Sequence, residues 1–279
     1  MTTSPPTTET RRVRPRIWIG LVAVLIYVGF AAGLGNVLGG LAGDDATAEF
    51  ALSHLIPLPI AIAAALAFVR WAGWSQPVWQ ETPTVRRIPR RWWLVSIPVL
   101  ALLVPLGQAV TIPWGDRAIS FILIVAVGTL LVGLGEELVV RGILLVTVRE
   151  RHGELLTMLV TAVVFALAHV FGSVWHGLPP AAIAFQVAVL AMAGVGYYWV
   201  RRVTGRLWAA VLLHAFTDFV LYVGSAAGNP AEAMASTSDA GNPVTVTAQI
   251  LLGIAITASI VSVIREDIRA RRRATNRPR

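Results

Sequence analysis

Long apolar runs separated by short polar connections set the pattern of this chain. Predominantly hydrophobic stretches fall near 17–40, 50–70, 92–111, 118–149, 155–172, 180–200, 207–224 and 246–264. A bilayer-crossing helix needs about 20 apolar residues, so the pattern predicts about eight transmembrane helices in an all-α, polytopic membrane protein. The first run is longer than the apolar stretch of a secretory signal peptide, which favours a retained span over a cleaved leader. Composition agrees: of 279 residues, 56% are hydrophobic and only 14% charged, against roughly 25% charged in soluble domains. No internal repeat, phosphate-binding glycine loop, dinucleotide fingerprint or HExxH zinc motif is present.

The net charge of +8 comes from 23 basic residues, all arginine, against 15 acidic ones. In a soluble chain this would suggest nucleic acid; here the arginines lie between apolar runs, so the positive-inside rule explains them and the expected partner is the lipid bilayer. Arg11, Arg12, Arg14 and Arg16 precede the first span, whereas the next connection holds Asp44, Asp45 and Glu49. Arg70, Arg86, Arg87, Arg90 and Arg91 follow the second span, Arg149 and Arg151 the fourth, Arg201, Arg202 and Arg206 the sixth, and seven more run from Arg265 to Arg279. Connections on the other side contain a single arginine, Arg117. The distribution predicts a multi-pass protein of the cell membrane with both termini cytoplasmic. All ten tryptophans fall at or beyond a predicted span end, where an indole meets the headgroups.

The expected division is a disordered cytoplasmic tail over 1–16, a helical transmembrane domain over 17–264 and a basic cytoplasmic tail over 265–279. Residues 71–91, rich in Trp and Arg, are expected to rest on the anionic membrane surface, and 225–245 to form a flexible outer loop. With no cysteine, thiolate chemistry is excluded. Arginine used without lysine points to a GC-rich bacterial genome.

Ionisable groups inside a span are disfavoured by about 2.5–3.5 kcal/mol each on insertion scales, and mark function by default. The fourth span contains Glu136, Glu137 and Arg141, the fifth His169, and the seventh His214 and Asp218. Glu137 and Arg141 are four apart, on one face and suited to an ion pair. Glu136, about 100° away, points elsewhere and is free to act as a base. His169 shares a face with Phe165; His214 and Asp218 are again four apart, so the carboxylate can orient the imidazole. Each set can also be read as interhelical hydrogen-bond packing. If spans four and five turn at His152–Gly153, Glu136 precedes Gly153 by 17 positions and His169 follows it by 16, so the two meet at one depth. His214 lies only nine positions beyond Gly205, a mismatch that tilt or protrusion of spans four and five would remove. Span four is itself too long for the bilayer unless it tilts, protrudes or breaks near Gly142.

These residues, in this order, resemble the three motifs of the CAAX protease and bacteriocin-processing (CPBP) family of intramembrane proteases, over a core of about 118–224. The resemblance implies hydrolysis of a peptide bond near the cytoplasmic side. It implies that Glu136 activates water with help from His169, that Glu137 and Arg141 support it, and that His214 stabilises the oxyanion. Many relatives carry Asn where this chain has Asp218. An ionised carboxylate cannot donate to an oxyanion, so Asp218 must be protonated, orient His214 or contact a metal. Glu136, His169 and His214 also compose a two-histidine, one-carboxylate set for zinc, although the family-type reaction runs without a metal as well. The expected substrate is a membrane-associated peptide or protein, such as a pheromone, a bacteriocin or a membrane protein, rather than a prenylated CAAX tail. Two competing functions fit buried charges in a membrane: a transporter or proton relay, which often shows inverted repeats not visible here, and a non-catalytic bacteriocin-immunity or scaffold protein, which has no use for these buried groups.

Overall fold

The computed structural model describes residues 11–226 and 242–275. Eight helices are long and apolar enough to cross a membrane: α1 (Ile17–Gly39), α2 (Ala46–Ala72), α3 (Trp92–Ala109), α4 (Ile119–Arg149), α5 (Glu154–Trp175), α6 (Pro180–Thr204), α7 (Leu207–Ser225) and α8 (Pro243–Arg273). They coincide with the eight runs to within a few residues, except that α8 continues well beyond the end of its run, and no strand forms among the described residues. The protein is an all-α polytopic membrane protein. Of the expected outer loop, residues 227–241 lie outside the described residues, as do 1–10 and 276–279.

Two helices depart from regular α-geometry. α1 is a π-helix over Gly29–Leu34, and α4 over Leu138–Leu144. α4 therefore does not break at Gly142; it widens there and continues to Arg149. Its 31 residues rise about 46 Å at 1.5 Å each, more than a hydrocarbon core of about 30 Å requires. In α2 regular bonding is interrupted at Ile56, because Pro57 brings no N–H to the helix ladder.

α4 packs most extensively against α7, α5 against α6, and α3 against α8, while α1 lies along the π segment of α4. The α4–α7 contact depends on Gly133: a Cβ there would stand 2.8 Å from Ala215 N and Val211 O. Small residues at such crossings let backbones touch. Glu137, one turn beyond Gly133, is thereby brought to His214 on α7.

The arginine-rich end is a packed structure. Arg201 and Arg202 are not connection arginines facing lipid headgroups; both are fully buried. Around them Glu81 pairs with Arg201 at 3.1 Å and Arg149 at 3.2 Å, and Glu266 pairs with Arg202 at 3.0 Å and Arg91 at 2.7 Å. Burial alone would raise the Glu81 carboxyl, but Arg149, Arg201, Arg202 and Arg87 outweigh it and hold the group below the usual carboxylate range. Part of 71–91 packs into this assembly: Trp74 and Val78 are buried, and the Trp74 indole donates to Val13 O at 2.8 Å. Residues 11–16 are accordingly not a disordered tail, since Arg12 N donates to Ala72 O at 3.1 Å. Nor is 265–275 a loose tail. The helix of α8 continues to Thr275, and Asp267 accepts from Glu154 N (2.9 Å) and Leu155 N (3.1 Å), capping the start of α5. On the opposite end Arg117 donates to Val223 O (2.8 Å) and Gly224 O (2.7 Å). Those carbonyls end α7 without helical partners, so the one outer arginine serves as a cap.

Candidate active site

Glu136, Glu137, Arg141, His169, His214 and Asp218 all converge at mid-depth of the bundle. Arg141 and Glu137 are completely buried and joined at 2.8 Å from Nη1 to Oε1. A second guanidinium nitrogen of Arg141 donates to Gly194 O on α6 at 3.1 Å. The same Glu137 Oε1 lies 3.0 Å from His214 Nδ1. A buried ion pair is tolerable only when further hydrogen bonds satisfy it, and here α4, α6 and α7 supply them.

Aromatic rings close the lower side. The Arg141 guanidinium lies 4.2 Å above the centre of the Phe165 ring, a cation–π contact. Phe165 stands edge-on to His169 (5.0 Å, 68°) and to His214 (5.6 Å, 77°). Phe165 and His169 share a face as their spacing requires, with the rings perpendicular. Tyr197 stacks on His214 at 4.6 Å and 13°. The ring of His214 is thus clamped on its face and anchored at Nδ1, which leaves Nε2 towards Glu136 and Asp218.

His169 is held by its own helix. Regular α-bonding in α5 pauses at this residue, and its Nδ1 lies 2.9 Å from Phe165 O. A carbonyl only accepts, so Nδ1 carries the proton and the neutral ring keeps its lone pair on Nε2. That nitrogen is 3.8 Å from Glu136 Oε2, and His214 Nε2 is 3.9 Å from the same oxygen. Both separations exceed a direct hydrogen bond and suit one bridging water. Asp218 Oδ2 lies 3.5 Å from His214 Nε2, so the orienting carboxylate of His214 is Glu137 and not the residue one turn along its own helix. The expected meeting of Glu136 and His169 is observed. His214 joins them from α7.

Glu136, His169 and Asp218 open into a cavity of about 420 Å3 whose wall also includes Tyr27, Asn36, Glu49, His54 and His176. Tyr27 is 6% exposed and its hydroxyl makes no hydrogen bond. It lies against Gly135, where a Cβ would come 2.6 Å from the phenolic oxygen, beside Glu136. Sequence reasoning missed Tyr27, Tyr197 and Gly194. Tyr27 is the one hydroxyl in IWIGLVAVLIYV, a signal passed over because it is not ordinarily charged; Tyr197 and Gly194 act through ring face and carbonyl, which no spacing reveals. Among the described residues no group of three or more His, Asp or Glu side chains converges as a metal-ion site.

Residues 118–220 match the family model described as type II CAAX prenyl endopeptidase Rce1-like. No curated protein and no solved structure matches the chain.

Proposed function

We propose that this chain, whose residues 118–220 carry an Rce1-like CAAX-type endopeptidase domain, hydrolyses peptide bonds of membrane-associated substrates with a water activated by Glu136 and His169. The observation that carries the reading is the placement of Glu136 Oε2, 3.8 and 3.9 Å from two imidazole Nε2 atoms, on the wall of a cavity that mixes apolar side chains with polar ones. Glu136 takes a proton from water while His169 Nε2 accepts the second O–H and orients the oxygen. The resulting hydroxide bonds to the scissile carbonyl carbon. Negative charge moves to the carbonyl oxygen, which needs donors placed in advance.

His214 supplies one donor. Three carboxylates, Glu136, Glu137 and Asp218, face one guanidinium, and a doubly protonated His214 halves the excess negative charge. Its Nδ1–H then goes to Glu137 and its Nε2–H to the oxyanion, with Asp218 ionised beside it. Tyr27 supplies the second donor, a hydroxyl without a partner in the resting site. When the C–N bond breaks, the proton held by Glu136 passes to the leaving amine, and the carboxylate is restored.

Every step uses the chain's own groups, and zinc is tested separately. The experiment is turnover of a library of membrane-anchored peptides by the detergent-purified protein and by Glu136→Ala, His169→Ala and His214→Ala. Cleavage by the wild type alone supports the reading; equal turnover by wild type and Glu136→Ala sinks it. Loss on chelation with recovery on added zinc would replace the metal-free step. A transporter or relay would instead move protons or solute through proteoliposomes without producing cleaved peptide.

A further inference from the structure

α4 supplies the base of the cavity with Val132, Glu136, Val139 and Val140, and the other helices that line it do so mainly with one half of their length. α1 contributes residues 24–40, α2 49–58, α5 165–176, α6 186–190 and α7 218–222. Odd-numbered helices run away from the arginine-rich end and even-numbered ones return to it. The lining is therefore the second half of α1, α5 and α7 and the first half of α2 and α6. All of these halves lie at the end opposite the arginines.

The other direction is closed. Residues 137–148 of α4 are buried without exception. Beyond them Glu81 is held among Arg149, Arg201 and Arg202, the last two fully buried. A peptide arriving from the arginine-rich end would have to separate these pairs, and stripping a partner from a buried ion pair costs about 3–5 kcal/mol.

We infer that the site is loaded from the end opposite the arginines, which the positive-inside distribution makes the extracytoplasmic face. Its substrate is then an exported peptide or an outer-facing segment of a membrane protein, not a tail anchored at the cytoplasmic surface; the substrate class rests on the protease reading, the direction of opening does not. His176, at the mouth, is seven residues along α5 from His169, a rise of about 10 Å. An extended peptide covers that depth with about three residues, so the scissile bond must be preceded or followed by a short unfolded stretch. Along this route Asn36 Nδ2 is buried and makes no hydrogen bond, a donor for a peptide carbonyl.

The chain contains no cysteine, so single cysteines report access without background. Ala32→Cys lines the cavity, Gly115→Cys marks the outer end, and Arg86→Cys marks the arginine-rich end. Intact cells expressing the full chain are treated with a small, charged, membrane-impermeant methanethiosulfonate, before and after permeabilisation. The expected result is modification of Ala32→Cys together with Gly115→Cys in intact cells, and of Arg86→Cys only after permeabilisation. Ala32→Cys reacting only together with Arg86→Cys, or only once denatured, overturns the opening direction; reversal of the two controls overturns its assignment to the outer face. Ala168→Cys, also on the cavity wall, repeats the measurement if Ala32→Cys fails to fold. Labelling needs no catalysis: outside labelling with no peptide cleaved from either face of proteoliposomes removes the protease reading and leaves the opening direction standing.

Discussion

Glu137 Oε1 lies 3.0 Å from His214 Nδ1 and so leaves the other nitrogen of that imidazole to face Glu136 and Asp218. The same oxygen holds Arg141 at 2.8 Å, and one buried carboxylate thus anchors both the imidazole and the guanidinium. Glu137→Gln keeps the shape and removes the charge. Peptide turnover is expected to fall by about 10–100-fold, the usual loss when an orienting partner is removed. The buried Arg141 loses its counter-ion, so thermal unfolding in detergent should reveal a destabilisation of about 3–5 kcal/mol. Unchanged turnover would show that His214 is oriented by other means.

Tyr27→Phe separates a catalytic hydroxyl from a structural one. Loss of a donor aimed at developing charge is expected to lower kcat by about 100-fold with little change in KM. Stability should stay level or rise, because an unsatisfied buried hydroxyl is removed. A lower melting temperature with kcat intact would assign the phenol to packing alone.

Asp218→Asn tests the charge balance around His214. With the anion gone, His214 is less readily kept doubly protonated, and kcat should drop by about tenfold or more, within the range for groups that support a reacting residue. Activity at or above the wild-type level would instead require a neutral donor at this position, and steady-state kinetics on one peptide distinguishes the two.

Phe165→Leu retains an apolar side chain and removes the ring beneath Arg141. The cation–π contact at 4.2 Å is desolvated and worth about 2 kcal/mol, to be read as a loss of thermal stability. Both histidines lose the edge that positions them, so kcat should fall further than KM rises.

Glu81 governs the acid limit of the fold. Its carboxyl is held below its ordinary value in the folded protein, so its contribution is complete above the unfolded-state pKa, about 4.3 for glutamate, and disappears as pH drops through the folded value. Melting temperature should therefore fall steeply on acidification below that range. Glu81→Gln should melt lower at neutral pH, by about 3–5 kcal/mol for buried arginines left unpaired, and show a flatter decline in acid. A profile parallel to the wild type would place the acid sensitivity elsewhere.

Much of this was legible in the residues. Apolar runs of spanning length announced eight helices, since only a helix satisfies its own backbone in lipid. The paired spacings Glu137–Arg141, Phe165–His169 and His214–Asp218 announced the groups at the site, because charge inside a span is costly enough to need a reason. The roles within the site were less legible. Spacing favoured Asp218 as the partner of His214, yet Glu137 from another helix holds the ring, an outcome set by the α4–α7 approach at Gly133. Counting arginines as topology signals treated Arg201 and Arg202 like the rest, and only packing shows them buried against acids 115 or more positions away in Glu81 and 64 away in Glu266.

By itself, then, the sequence determined what is periodic or local: span number, the arginine-rich end, and the ionisable residues placed in lipid depth, all of which follow from one helix meeting one solvent. Tertiary structure decided what depends on several helices at once. The anchoring of the two histidines, the unpartnered Tyr27 and the cavity beside Glu136 arise from how α1, α4, α5, α6 and α7 stack. Those stackings are chosen by close glycine contacts and ring faces, which leave no period in the chain.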